Sequence, residues 1–155
     1  MEPYQLVKTL HIFSATLLFG TGLGIAFFFW MGGRSGDDRA ALFAARATVT
    51  ADFLFTLTAV MAQPLTGAWL VIKSGLDPLS RWLVLTYALY LIAGACWVPV
   101  VFIQIRIRNM LEAKLAGGPF DPQAYRRLRS WWFALGWPAF LALIVVVHLM
   151  VVKPA

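Results

Sequence analysis

Four apolar runs, each about as long as the ~20 residues needed to cross a hydrocarbon core, constrain this chain more than any other feature of its sequence. They cover roughly residues 6–31, 47–72, 82–105 and 131–152. In lipid every backbone donor and acceptor must be satisfied within the segment, so an apolar run of this length predicts a helix. The runs are separated by breaker clusters: Gly32-Gly33-Arg34-Ser35-Gly36, Ser74-Gly75-Leu76-Asp77-Pro78 and Gly117-Gly118-Pro119. The fold expected is all-α, an integral membrane antiparallel four-helix bundle forming a single transmembrane domain over residues 1–155. Asp37 or Asp38 supplies an N-cap for the second helix, and Asp121-Pro122 places a cap and a first-turn proline before the fourth. The third helix is expected to continue into the polar stretch from Arg106 to Lys114. The fourth is expected to bend near Pro138.

Composition excludes the soluble alternative. Only 13% of the residues are charged, against about 25% in an ordinary soluble domain, and 61% are hydrophobic. The net charge of +6 does not point to nucleic acid, because the basic residues sit at the ends of the apolar runs. The partner this implies is the lipid bilayer. Lysine and arginine number nine in the first and third loops (Arg34, Arg39, Arg46, Arg106, Arg108, Lys114, Arg126, Arg127, Arg129). The other side carries four (Lys8, Lys73, Arg81, Lys153). That bias predicts both termini outside the cytoplasm. The first run is too long for a cleaved signal and lacks an A-x-A-like site after it, so it is expected to stay as the first span. The single cysteine, Cys96, rules out a disulfide framework and reads as a packing residue. Trp30, Trp131 and Trp132 at one boundary, and Trp69 and Trp82 at the other, read as aromatic belts. Trp97 and Trp137 fall deeper, facing neighbouring helices.

Ionisable and polar groups inside spans are costly and therefore informative. The only histidines, His11 and His148, fall at similar depth near the same membrane face, on the first and fourth helices. Imidazole is a common axial ligand of haem iron, so His11 and His148 are candidate metal ligands. Ser14, Ala15 and Gly22 share the face of His11 and would let a flat ligand approach the backbone, Tyr87 and Tyr90 could reach it from the third helix, and Lys8, Lys73, Arg81 or Lys153 could meet propionates. The bland alternative for each histidine is a hydrogen bond to a carbonyl or headgroup. On the second helix Asp52, Thr56, Ala59, Gln63 and Thr66 fall within about 40° of one line, with Thr48 continuing it. This spine is expected to face the bundle interior, with Asp52 paired to Arg106 or Arg46. It serves either as a structural ion pair and interhelical hydrogen bonds or as a proton or substrate path. No phosphate loop, nucleophile elbow, HExxH or cysteine pair is present.

The stretches LVKTLHIFSATLLFGTGLGIAFFFW, ADFLFTLTAVMAQPLTGAWL, LIAGACWVPVVFIQIRIR and YRRLRSWWFALGWPAFLALIVVVHLMVVKP resemble a family of small bacterial membrane proteins known only as a domain of unknown function. The resemblance extends over nearly the whole chain. That family is loosely similar to the copper-resistance D membrane proteins and to the haem-binding bacterial protoporphyrinogen oxidases. With the latter this chain shares Lys8-x-x-His11 and the closing VVKP. The resemblance implies a bacterial inner membrane location and His11 as a ligand of haem b. The tryptophan-alanine-glycine-leucine stretch and third-helix lysine of those oxidases are missing, so the resemblance does not carry their reaction over. The function expected is that of a membrane haem b protein with a redox or electron-transfer role at the external face, with a membrane redox partner or a second copy as candidate partners. Whether it is an enzyme is left open. Two rivals remain: small-molecule, proton or copper-handling transport along the Asp52–Gln63 spine, and a non-catalytic accessory subunit. No methionine or histidine cluster on the external side supports copper handling.

Overall fold

A computed structural model describes residues 2–154. The chain forms α1 (Pro3–Gly32), α2 (Asp38–Ala51), a five-residue π-helical turn (Asp52–Thr56), α3 (Leu57–Lys73), α4 (Arg81–Leu115) and α5 (Pro122–Val152). No strand occurs among the described residues. The segment Asp38–Lys73 is one continuous rod, giving four rods long and apolar enough to cross a membrane, of 30, 36, 35 and 31 residues. At about 1.5 Å per residue each exceeds a hydrocarbon core of about 30 Å, so the helix ends extend beyond it. Accordingly α4 runs on through Arg106 to Lys114, as the sequence predicts, and α5 continues through Pro138 without a break.

Local chemistry sets the boundaries. The Asp37 carboxylate accepts from the Arg39 amide at the start of α2. Asp121 accepts from the Gln123 and Ala124 amides at the start of α5, at 2.8 and 3.1 Å. Gly36, Gly75 and Gly117 each adopt a positive φ in the turns that follow α1, α3 and α4, a conformation glycine takes without a Cβ clash.

The rods alternate in direction. Tyr4 at the start of α1 hydrogen-bonds Ser74 just past α3. Near the loop end, Arg46 pairs with Glu112 at 2.9 Å and Lys114 with Asp38 at 2.6 Å, joining α2 to α4. The most extensive packing is α4 on α5; α1 packs along α2 and α3, and α2 along α4. In contrast, α1 and α5 meet mainly through aromatic side chains, Phe19 on Phe140 and Phe29 on Trp132, with ring centroids 4.9 and 4.8 Å apart.

Two packed clusters close the two ends of the bundle. Phe29, Ala41, Ala45, Val100, Ile107, Leu111 and Trp132 form one at the loop end. Val71, Trp82, Leu83 and Leu149 form the other at the termini end. The outer surface is apolar: Leu65, Leu91 and Phe102 are 70%, 71% and 66% exposed, as befits side chains that face lipid. Three tryptophans depart from the sequence reading. Trp82 and Trp132 are buried within the bundle instead of forming belts, and Trp137, expected to face a neighbour, is exposed. A helix pattern alone does not say which neighbour arrives to cover a given face.

Candidate functional site

Between the two end clusters lies a cavity of about 510 Å³. All four rods contribute to its wall, which is mostly aliphatic and aromatic. Gly22 from α1, Gly94 from α4 and Gly136 from α5 are among its lining residues. A Cβ placed on any of the three would meet nothing within 4 Å. These glycines are therefore not required by close helix contact; they widen the space. Leu23, Phe27 and Trp137 line the cavity yet are 52%, 52% and 59% exposed. They form the rim of a mouth between α1 and α5, two rods whose backbones pack together only weakly.

The polar end of the cavity is built on the π-turn. Here the Leu57 amide bonds back to the Asp52 carbonyl, five residues earlier, and the turn accommodates one extra residue. Asp52, Thr56 and Val60 point into the cavity. From α4 come Trp97 and Gln104, and from α5 comes Trp132. The Trp97 indole N–H donates to Asp52 Oδ1 at 3.2 Å. Thr56 and Gln104 flank the same carboxyl group. Within 3.5 Å, the buried atoms Asp52 Oδ2, Thr56 Oγ1, Gln104 Oε1 and Trp132 Nε1 find no hydrogen-bond partner, so the approach of Thr56 and Gln104 to the carboxyl group is at best a long, weak contact. Four such atoms on one cavity are unusual, because a buried polar group left unpaired costs about 1–3 kcal/mol.

The expected ion pair of Asp52 with Arg106 or Arg46 does not form. Arg46 turns to Glu112, and Arg106 is exposed on the outer side of α4, where its guanidinium stays in the polar boundary and avoids desolvation. The predicted spine is also divided. An α-helix advances about 100° per residue, and the extra residue of the π-turn rotates everything after it. Asp52 and Thr56 thus face the cavity, whereas Gln63 and Thr66 face α1.

There Gln63 and Thr66 build a second polar group with the first helix. Gln63 Nε2 donates to the His11 carbonyl at 2.8 Å and to Ser14 Oγ. His11 Nδ1 lies 2.7 Å from Thr66 Oγ1. Thr66 has one hydroxyl proton, directed to the Ala62 carbonyl at 2.6 Å, so it accepts from Nδ1–H. That leaves Nε2 carrying the lone pair. Gly67 gives the imidazole its seat, since a Cβ there would stand 3.3 Å from His11 Cε1.

Of the other sequence-predicted site residues, Ser14 joins His11 as expected, Ala15 lines a small cavity of about 30 Å³ beside Gln63 and Tyr90, and Gly22 lines the large one. Lys8 and Tyr87 are exposed. His148 is exposed too, on the stripe of α5 shared with Leu141, Ile144 and Val152. The α1-facing side of that helix is instead formed by Leu143, Val146 and Val147. The two histidines are therefore not gathered into one site. A haem b inside the bundle does not fit the donor set, because the large cavity is lined by no histidine, cysteine or methionine. No cluster of three or more histidine, cysteine or acidic side chains suited to a metal ion occurs among the described residues. Sequence reasoning singled out Tyr90, which lines both cavities, but missed Gln104 and the buried role of Trp132. A lone glutamine in the third apolar run was the available signal for the first.

Fold and cavity together define a four-span membrane bundle with a lipid-facing mouth and a polar interior end. Residues 5–154 match the model of the family described as "Predicted integral membrane protein (DUF2269)", and the chain belongs to that family. Neither curated proteins nor solved structures yielded a match.

Proposed function

We propose that this protein binds a membrane-soluble small molecule in the cavity between its four rods, admitting it from the bilayer between α1 and α5. The observation that carries this reading is the convergence of four unpartnered, buried polar atoms on one apolar-walled space. The volume supports it: small-molecule sites occupy about 300–1,000 Å³ and combine apolar walls with a few placed polar groups. This is the small-molecule-handling reading of the sequence, located at the Asp52–Thr56 end of the spine and not along its full length. The lysine and arginine bias supports a loop end that faces the cytoplasm in a bacterial inner membrane, so the polar end of the cavity would sit toward that leaflet.

A long-chain alcohol bearing a photoreactive diazirine tests the proposal in reconstituted vesicles. Labelling should reach the interior lining residues Ala93, Trp97, Trp132 and Phe140, and Gly136→Leu should abolish it there. Labelling spread evenly over the lipid-facing surface, unchanged by Gly136→Leu, would overturn the reading.

A second reading keeps haem b, with His11 as its single protein ligand on the α1–α3 side. It is favoured by one observation, the free Nε2 of an imidazole whose Nδ1–H is held by Thr66, an orienting bond common behind metal-bound histidine. Protein purified from haem-replete cells should then show a Soret band that His11→Ala removes and His148→Ala leaves in place. A featureless spectrum would end this reading without touching the first.

A further inference from the structure

The pattern of donors and acceptors at the polar end narrows the class of molecule that fits. This step rests on the cavity being a ligand site. Gln104 Oε1 only accepts hydrogen bonds, Trp132 Nε1–H only donates, and the Thr56 hydroxyl and the Asp52 carboxyl group, which lies within the span without a counter-ion, can do either. All four side chains are more than nine-tenths buried, at 2%, 7%, 4% and 1% exposure. One fixed acceptor and one fixed donor are present, so a complementary head must bring at least one hydrogen-bond donor and at least one acceptor. A hydroxyl offers both.

The walls add a shape. Trp97, Trp132 and Phe133 surround the polar end, with Phe140, Phe27 and Trp137 toward the mouth. Flat aromatic surfaces of this kind pack best against a flat ring, stacked or edge-on. The size agrees: an engineered apolar cavity of about 150 Å³ in another protein takes up a benzene, and 510 Å³ exceeds that several-fold. The surplus leads toward the α1–α5 mouth, where an attached chain would pass into lipid. A simple cation suits the site less well. Arg129 lies against Gly33 and Arg34 over Trp30 at 5.1 Å, Trp30 itself lining the cavity, so this end of the bundle carries fixed positive charge.

We infer that the occupant is an amphiphile whose head is a hydroxyl-bearing aromatic ring, a hydroquinone-type molecule with an apolar tail, seated with its hydroxyls toward Asp52 and Gln104. The fully oxidised quinone offers acceptors alone. It would meet Trp132 and Thr56 but leave Gln104 Oε1 without a partner.

The test uses the full chain in phosphatidylcholine nanodiscs, under argon with ascorbate present. Equilibrium binding is measured for decyl-hydroquinone, its dimethyl ether, decanol and decylamine. Preference for the hydroquinone over its dimethyl ether by about tenfold or more is expected, the order of one unmet buried acceptor. Gln104→Leu should shrink that preference, with folding verified by circular dichroism and gel filtration. Equal binding of hydroquinone and dimethyl ether, both lost in Gly136→Leu, overturns the ligand class and leaves the cavity reading standing. Tightest binding of decylamine also overturns the class, in favour of a cation held by Asp52. Binding of all four compounds unaffected by Gly136→Leu overturns both.

Discussion

Filling the cavity from its own wall is the most direct perturbation available. Gly136 lines the space, and a Cβ there points where no atom lies within 4 Å. Leucine at this position would extend into the void without displacing backbone. If the side chain fills about 100 Å³, then at about 24 cal/mol per Å³ it recovers roughly 2 kcal/mol. For a chain of this size that raises the unfolding midpoint by about 4–8 °C. The assay is thermal unfolding in detergent, followed by tryptophan fluorescence and by loss of the monodisperse gel-filtration peak. The control is Gly20→Leu: Gly20 also has open space around its Cβ but is exposed and lines no part of the cavity. It should change the midpoint little. Gly136→Leu should therefore stabilise the protein and weaken ligand binding together, a pairing that a merely structural site would not produce. Destabilisation of about 1–3 kcal/mol, the range for overpacking a filled core, with ligand binding intact, would refute the reasoning.

Three further outcomes are expected. Gln63→Leu removes two hydrogen bonds between α3 and α1; at about 0.6 kcal/mol for an average interhelical bond in a membrane, equilibrium unfolding should show a loss near 1 kcal/mol, and no loss would mean these bonds are redundant. Gly32→Ala should destabilise more than Gly33→Ala, because a Cβ on Gly32 meets the Ala44 methyl and the Ala40 carbonyl of α2, whereas on Gly33 it meets only the movable tip of Arg129; the reverse order of midpoints would contradict the α1–α2 packing. Donation from the Ala124 amide, and then from that of Gln123, holds the Asp121 carboxyl below the usual carboxylate range. A depressed value contributes stability above the unfolded pKa and loses it as pH falls through the folded one, so hydrogen exchange at these two amides, corrected for its intrinsic pH dependence, should gain protection with rising pH only in the acid range, and Asp121→Asn should remove that dependence.

Much of the fold was legible because it is local. In lipid an apolar run has no alternative to a helix, so the four spans follow from hydropathy, and Asp37, Asp121, Gly36, Gly75 and Gly117 mark their limits through bonds and dihedrals confined to a few residues. The pairing of His11 with Ser14 on one face follows from helical periodicity alone. The candidate site was legible only in part. Asp52 and Thr56 stood out as polar residues within a span, but their partners did not. Periodicity cannot register the one extra residue of the π-turn, which turns Gln63 and Thr66 away from Asp52 toward α1. Nor does it say which rods become neighbours. The weak backbone packing of α1 against α5 opens the mouth, and the approach of α4 and α5 brings Trp97, Gln104 and Trp132 to Asp52. The same packing leaves His148 on the outer stripe of α5. The sequence by itself determined how many times the chain crosses the membrane and which groups are costly there. Only the tertiary structure decided which of those groups meet, because that depends on helix rotation and on which neighbour arrives, and each is set by contacts far apart in the chain.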